Sequence, residues 1–180
     1  MAIKNKKLKL EELDRVNVDQ FKQLKKIELI IVLDNIRSHH NVGSVFRTAD
    51  AFKVSKILLC GYTPCPPHRD IHKTALGATD SVDWTYFKST TEAVEWLKNE
   101  NYVVYAIEQT ENSLKLDQLN INSAEKYALV FGNEVGGVDQ EVIDLCNGSI
   151  EIPQYGTKHS LNISVCAGIV MWDFFKPLNK

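Results

Sequence analysis

The sequence predicts an α/β domain built on a mostly parallel, Rossmann-like sheet. Short segments rich in Ile, Val and Leu alternate with amphipathic segments along the whole chain, and this alternation is typical of strands joined by helical crossovers. The segment 27–33 is apolar at nearly every position, as expected for a strand covered by helices on both faces. At 180 residues, with no repeat or linker, one domain is the simplest organisation.

The predicted elements follow one another in a regular order. Apolar side chains within residues 10–26 (Leu13, Val16, Phe21 and Leu24) predict one or two helical turns packed on the body. The predicted strands are 27–33, 56–60, 82–87, 102–107, 128–131 and 149–153. The predicted helices are 41–52 with Asn41 as N-cap, 71–77, 89–97 behind a capping box at Ser89, 140–146 with Asp139 as N-cap, and an apolar helix from Ser160. Residues 108–125 are predicted to be a loop with a short helical turn.

Composition and charge narrow the function classes. The longest apolar runs are too short to span a bilayer and no signal peptide is recognisable, so we expect a cytoplasmic protein without a membrane partner. The net charge of −2 argues against a uniformly basic nucleic-acid binder. However, residues 1–26 carry eight Lys and Arg against four acids, which is +4, and the remainder is −6. We therefore divide the chain into a basic helical arm, 1–26, and a main domain, 27–180; the arm either contacts phosphates or is simply a solvated helix.

The four cysteines do not predict a disulfide framework or a metal site. Cys60, Cys65, His68 and His72 resemble a zinc ligand set by residue type. Only two residues separate Cys65 from His68, whereas zinc fingers and ribbons separate two ligand pairs by a dozen or more. We therefore predict no metal.

Three polar clusters carry the candidate chemistry. In the first, Gly43 permits a close approach to a helical turn whose free amides favour an anion, and Arg47 suits a phosphate or a developing oxyanion. In the second, Glu134 lies between a strand end and a glycine pair, at the edge where open α/β sheets bind ligands. In the third, the residues 160, 162 and 164 offer more polar groups than capping one helix requires. Taken singly, the alternatives are an inert surface arginine, an ordinary turn and a helix cap.

Together the clusters resemble the three motifs of a known family. Asn41-x-Gly43-x-x-x-Arg47-Thr-Ala, Phe131-Gly132-Asn133-Glu134-x-x-Gly137, and Ile152-Pro153 leading to Ser160-Leu161-Asn162-x-Ser164 are similar to motifs one, two and three of the SpoU (TrmH-like) RNA methyltransferases of the SPOUT superfamily. All three appear in the family's order, and the similarity covers about residues 29–175.

This resemblance implies a fold, an activity and partners. The expected fold has a deep trefoil knot at about 128–175, an exception to the rule against knots. The expected activity is S-adenosyl-L-methionine-dependent methylation of ribose 2'-hydroxyls in tRNA or rRNA, rather than DNA, by a homodimer. By matching positions, the cofactor-binding residues are Gly132, Ile152 and Leu161. The catalytic residues are Asn41, Arg47, Glu134, Ser160 and Asn162.

The sequence leaves open the role of Arg47 and the way in which RNA is bound. Arg47 is either the general base or an anchor for the adjacent phosphate and the forming alkoxide, since guanidinium is normally protonated. Because no separate RNA-binding domain is recognisable, we expect RNA contacts from the basic arm, the dimer surface and the loop 68–73. The competing hypotheses are a catalytically silent RNA-binding relative and a nucleotide-binding oxidoreductase, the latter disfavoured because no G-x-G-x-x-G fingerprint is present.

Overall fold

The computed structural model describes residues 5–179, so that Lys4 of the predicted basic arm lies outside the described residues. It contains one seven-stranded sheet whose strand pairings are all parallel, in the order β3-β2-β1-β6-β4-β7-β5. The strands are β1 Ile27–Asp34, β2 Val54–Cys60, β3 Trp84–Phe87, β4 Tyr102–Ile107, β5 Leu114–Lys115, β6 Lys126–Phe131 and β7 Gly148–Glu151. The helices are α1 Val18–Gln23, α2 His39–Ala51, α3 Arg69–Ala75, α4 Ala78–Ser81, α5 Thr90–Asn99, α6 Gln140–Leu145 and α7 Ile163–Leu178. The predicted mostly parallel α/β fold is confirmed.

The sheet is covered on both faces, which explains why its central strands are almost wholly apolar. Leu29, Ile31 and Leu33 of β1 belong to the core that contains the buried side chains of α2 and α7. Ile30 and Val32 of the same strand belong to the opposite core, formed with α5 and α6. Successive side chains of a strand point to opposite faces, so a strand covered on both faces needs an apolar residue at every position.

Several element boundaries differ from the prediction for local reasons. Helix α2 begins at His39 because the Ser38 side chain accepts a hydrogen bond from the Asn41 amide, so Ser38 and not Asn41 is the N-cap. Helix α7 begins at Ile163, with Asn162 as its N-cap, and residues 160–162 form the approach to it rather than its first turn. The predicted loop 108–125 contains the short strand β5, which extends the sheet beside β7.

The amino-terminal segment packs less closely than its apolar pattern predicted. It contains a 3₁₀ turn, Leu10–Leu13, followed by α1. Phe21 is buried and packs this segment on the body, whereas Leu13, Val16 and Leu24 are 39%, 47% and 40% exposed. The division into an arm and a main domain stays a prediction. Within residues 5–179, none of the helices combines the length and the apolar character needed to cross a membrane.

Candidate active site

A cavity of about 510 Å³ lies beyond the carboxyl ends of β4, β6 and β7. Its size is within the range of small-molecule sites, and its position is where parallel α/β sheets bind ligands. Three segments form its walls: residues 108–109 after β4, the glycine loop 132–137 after β6, and the segment 152–162 after β7. The lining includes six of the eight predicted site residues: Gly132, Glu134, Ile152, Ser160, Leu161 and Asn162.

The glycine loop is a tight turn closed by its own backbone. Asn133 and Gly137 exchange two backbone hydrogen bonds of 3.0 Å, and the Asn133 side-chain oxygen accepts from the amides of Val135 and Gly136 at 2.9 and 2.8 Å. A Cβ on Gly132 would lie less than 3.0 Å from backbone atoms of Gly137 and of the following residue. Only glycine therefore fits at position 132, and the loop keeps its backbone at the cavity wall.

Two residues that the sequence did not single out hold the cavity walls together. The Glu108 carboxylate accepts from the Val138 amide at 3.1 Å, which fixes the end of the glycine loop. The Gln109 side-chain amide donates to the backbone carbonyl of His159 at 2.9 Å, which fixes the third segment. Both residues directly follow β4, and a polar pair after a buried strand at the binding edge was the signal that could have identified them.

A hydrogen-bonded network joins the three predicted motifs. The Asn41 side-chain amide donates to the Glu134 carboxylate at 2.8 Å, and the Asn162 side-chain amide donates to the Asn41 side-chain oxygen at 3.3 Å. The Glu134 carboxylate also accepts from the backbone amides of Arg37 and Ser38 at 3.1 and 3.3 Å. Residues that are 93 and 121 positions apart thus meet beside the cavity.

The Glu134 carboxylate lies at the start of α2 and bonds to the backbone amides there. The amides of Arg37 and Ser38, immediately before the helix, are bonded to Glu134, so they are not available to a ligand. Anion binding by the amides of the first helical turn stays a prediction. Gly43 admits a neighbouring helix and not a ligand, because its missing Cβ makes room for α3. Partial burial raises the Glu134 pKa, but the hydrogen bonds from the Asn41 side chain and from the backbone amides of Arg37, Glu134 and Ser38 together outweigh it and leave that pKa below its ordinary value.

Arg47 and Ser160 occupy more open positions. Arg47 is exposed and lies six residues beyond Asn41, on another side of α2, since a helix turns every 3.6 residues. It lines a second cavity of about 630 Å³, together with Arg15 and Phe21 of the amino-terminal segment. Within one chain the structure therefore does not bring Arg47 to the Asn41 network, and its catalytic role stays a prediction. Ser160 is exposed at the edge of the first cavity.

The cysteines offer no reactive thiolate at this site. Cys166 lines the first cavity, where burial, followed by the nearby charge of Glu108, raises its thiol pKa to about 11. Burial likewise raises the pKa of Cys60, a member of the zinc-like set, to about 12. Between residues 5 and 179, no three His, Cys, Asp or Glu side chains are grouped so that they could hold a metal ion.

Comparison with known proteins places these motifs in a family. The profile of the SpoU rRNA methylase family matches residues 28–172. A protein of Staphylococcus aureus (strain COL), named as a proposed TrmH family tRNA/rRNA methyltransferase, is 31% identical over 162 residues, which is 88% of this chain and 64% of that protein. The chain therefore spans less than two thirds of the length of this relative.

Solved structures share the fold. The A. aeolicus TrmH/SpoU tRNA modifying enzyme superimposes with a TM-score of 0.79 at 23% identity, over 90% of this chain and 81% of that one. An rRNA methyltransferase from Sinorhizobium meliloti, solved with AdoMet bound, gives a TM-score of 0.79 at 25% identity, over 88% of this chain and 60% of that one.

Proposed function

The chain belongs to the SpoU rRNA methylase family, and from this premise we propose that it is an S-adenosyl-L-methionine-dependent methyltransferase acting on the ribose 2'-hydroxyl of tRNA or rRNA. The observation that carries the proposal is the meeting of the three motifs at one edge of the sheet. The Asn41–Glu134–Asn162 network borders a cavity lined by the positions matched to cofactor binding. The predicted trefoil knot at about 128–175 is part of this proposal.

The cavity suits S-adenosyl-L-methionine in its size and in its hydrogen-bonding groups. A volume of about 510 Å³ accommodates a nucleoside with a short amino-acid chain. Gly132 leaves backbone at the wall, and Glu108 and Glu134 contribute carboxylate oxygens for hydroxyl or ammonium groups. In the 25% identical Sinorhizobium meliloti protein AdoMet is bound. We propose that Gly132, Ile152 and Leu161 hold the cofactor, which supplies an activated methyl group on a sulfonium.

The polar network would position the ribose. Methyl transfer requires the 2'-oxygen in line with the methyl group, so that fixed hydrogen-bonding groups contribute much of the rate. Asn41 is held between Glu134 and Asn162, so its amide is fixed before RNA arrives. Asn162 is fixed in turn, because its side-chain oxygen accepts from the amide and hydroxyl of Ser164 at 2.9 and 2.7 Å. Ser160, at the cavity edge, would contact the incoming ribose.

Arg47 is proposed to act as an anchor rather than as a base. Guanidinium groups stay protonated in proteins, and Arg47 is exposed to solvent. A cation with five donors can hold the phosphate next to the target ribose and stabilise the alkoxide that forms as the proton leaves. Because Arg47 lines the second cavity and lies away from the Asn41 network within one chain, this role requires the proposed homodimer to bring Arg47 of one subunit to the network of the other. The phosphate or a water molecule then accepts that proton.

We propose further that the protein is a homodimer that associates through α7. An apolar stripe on this helix (Val165, Ile169 and Trp172) is 52%, 41% and 51% exposed. The spacings of four and three residues place these side chains on one face. Contiguous exposed apolar surface of this kind marks interaction sites. The proposal predicts that Ile169→Lys yields a folded monomer by sedimentation velocity, whereas Glu111→Lys, in the loop after β4, leaves the dimer intact.

Methyl incorporation from labelled S-adenosyl-L-methionine into unfractionated tRNA and rRNA tests the proposed activity. Mass spectrometry of the digested RNA then identifies the modified nucleoside. We expect 2'-O-methyl nucleosides with the unmodified sequence and at least a hundredfold less with Asn41→Ala or Arg47→Ala. Tight binding of S-adenosylhomocysteine and of RNA without any incorporation would favour the catalytically silent relative. A base-methylated product would refute the ribose assignment.

A further inference from the structure

Four of the chain's five histidines lie together beside the network. His39 and His40 open α2, while His68 and His72 belong to the cap and first turns of α3. The rings of His39 and His68 are in contact, with centroids 3.9 Å apart and planes tilted by 35°. We call His39, His40, His68, Arg69, His72 and Lys73 the histidine surface.

This surface is rigid because α2 and α3 are packed closely. The Thr74 hydroxyl donates to the backbone carbonyl of His40 at 3.0 Å, and Gly43 lets the α3 backbone approach α2 without a Cβ between them. The loop that leads to His68 is fixed in turn at Thr63, whose buried hydroxyl donates to the Leu33 carbonyl at 2.9 Å and accepts from the Ile36 amide at 3.0 Å. The groups on this surface are therefore arranged before any partner binds.

The surface carries cations on a chain whose net charge is negative. Arg69 and Lys73 are exposed, and Arg37 is exposed nearby in the chain before α2. The acids beside them are Asp70, which is paired with Lys73 at 2.6 Å, and Glu134, whose carboxylate accepts from the Arg37 amide. Since residues 27–180 together carry an excess of acids, this concentration of cations is not the average character of the body.

The surface is continuous with the proposed catalytic network. His39 and His40 immediately precede Asn41, and the amide of Arg37 donates to the Glu134 carboxylate. A polymer lying across the surface would therefore pass directly beside Asn41. Arg and Lys contact phosphates, imidazole N–H groups donate to phosphate and 2'-hydroxyl oxygens, and histidine rings stack on unpaired bases.

We propose that the histidine surface binds the RNA backbone and one unstacked base next to the methylated nucleotide. The proposal rests on the proposed function for its choice of partner. It extends the RNA contacts of that function from the target ribose and its phosphate to a surface that includes the loop 68–73, where RNA contacts were expected. Arg69 and Lys73 contact phosphates, and His68, supported by His39, offers a ring for a base.

The test measures RNA affinity at several salt concentrations, by fluorescence anisotropy with labelled unfractionated tRNA and with rRNA fragments. The double variant Arg69→Ala/Lys73→Ala should bind about tenfold more weakly, and its plot of log affinity against log salt should be shallower by about 1.5, because two phosphate contacts are lost. The matched control is Lys126→Ala. Lys126 is the first residue of β6 and lies at the amino ends of the strands, whereas the histidine surface follows their carboxyl ends, so this variant should bind RNA as the unmodified protein does.

A second variant tests the proposed stacking of a base on the His68 ring. The His68 side chain accepts from the Asp70 amide at 3.2 Å and so caps α3. His68→Asn keeps an acceptor suited to this cap, removes the ring, and should weaken binding about tenfold with no change in salt slope. Circular dichroism and S-adenosylhomocysteine binding should be unchanged in both variants.

Two results would overturn the proposal: RNA affinity and salt slope in Arg69→Ala/Lys73→Ala equal to those of Lys126→Ala, or no RNA binding by the unmodified protein. Loss of affinity in these variants of a protein that binds RNA but transfers no methyl group would support the surface while refuting the proposed activity. The two failures are therefore distinguishable.

Discussion

Replacing Glu134 by Gln tests whether this carboxylate is the structural anion at the start of α2. The substitution keeps the size of the side chain but removes its charge and one acceptor. Glu134 now accepts three hydrogen bonds, from the Arg37 and Ser38 amides and the Asn41 side chain. One carboxylate oxygen accepts from Ser38 and Asn41, and the other accepts from Arg37. If the glutamine oxygen takes the first place, its NH₂ group faces the Arg37 amide, and both groups are donors.

The expected loss of stability is about 1–2 kcal/mol. An anion at a helix N-terminus contributes about 0.3–1 kcal/mol, and a hydrogen bond to an exposed charged group lies at the low end of about 1.5–3 kcal/mol. Because Glu134 is solvent-exposed, we use the low end of each of these two ranges. The two contributions arise at the same site and are therefore not fully additive. For a chain of this length, 1 kcal/mol corresponds to about 2–4 °C, so the melting temperature should fall by about 2–8 °C.

The pH dependence separates this mechanism from a packing defect. Burial raises the pKa of Glu134, but the hydrogen bonds that its carboxylate accepts from Asn41 and from the backbone amides of Arg37, Glu134 and Ser38 outweigh this effect, so folding lowers the pKa from its ordinary value of 4.5. The ionised carboxylate therefore stabilises the fold fully above that ordinary value, and the contribution is lost as the pH falls through the lower folded pKa. Urea unfolding at pH 7, 5 and 3.5 should show a difference between the two proteins that shrinks over the last interval.

Two outcomes would refute this reasoning. One is a Glu134→Gln protein as stable as the unmodified protein at pH 7. The other is a stability difference that stays constant from pH 7 to pH 3.5, which would indicate a steric effect of the substitution. Glu111→Gln, in the exposed loop after β4, is the matched control and should leave the unfolding curve unchanged at every pH.

Three further substitutions test close contacts. Gly132→Ala should abolish S-adenosylhomocysteine binding by calorimetry, because its Cβ would meet the backbone of Gly137 and force the glycine loop open. Gly43→Ala should cost about 1–3 kcal/mol in urea unfolding, since its Cβ would meet a backbone carbonyl of α3. Thr90→Val should cost about 1–3 kcal/mol, because it removes the 2.5 Å hydrogen bond to Asp34, a carboxylate only 1% exposed. Full ligand affinity in the first, or unchanged stability in either of the others, would contradict the corresponding contact.

The sequence predicted the sheet well because its signal is local. A strand buried on both faces requires an apolar residue at every position, and 27–33 and 102–107 show this directly. The N-cap of α2 was predicted three residues late, because Asn41 is a good capping residue in isolation while Ser38 has the geometry that caps in the fold. Strand β5 was missed because its two residues, Leu114 and Lys115, carry too little pattern to separate it from a loop.

The candidate site was predicted only in part, for a physical reason. The motifs identified Asn41, Glu134 and Asn162, but not that one residue bonds to the next, since these contacts depend on strand order. Glu108 and Gln109 escaped notice because they look like ordinary polar loop residues until β4 is placed between β6 and β7. That Arg47 lies away from the network likewise became evident only when both Arg47 and Asn41 were placed on α2.

The strand order also has a consequence during synthesis on the ribosome. Strand β1 pairs with β2 on one side and with β6 on the other, and β6 is translated long after β2. Until Lys126–Phe131 has left the exit tunnel, the backbone groups along that side of β1 have no strand partner, and Asn41 has neither of its side-chain partners. An unpaired apolar strand is prone to aggregation. Slow translation beyond β2 should therefore lower the yield of active protein, and a chaperone that covers β1 should restore it.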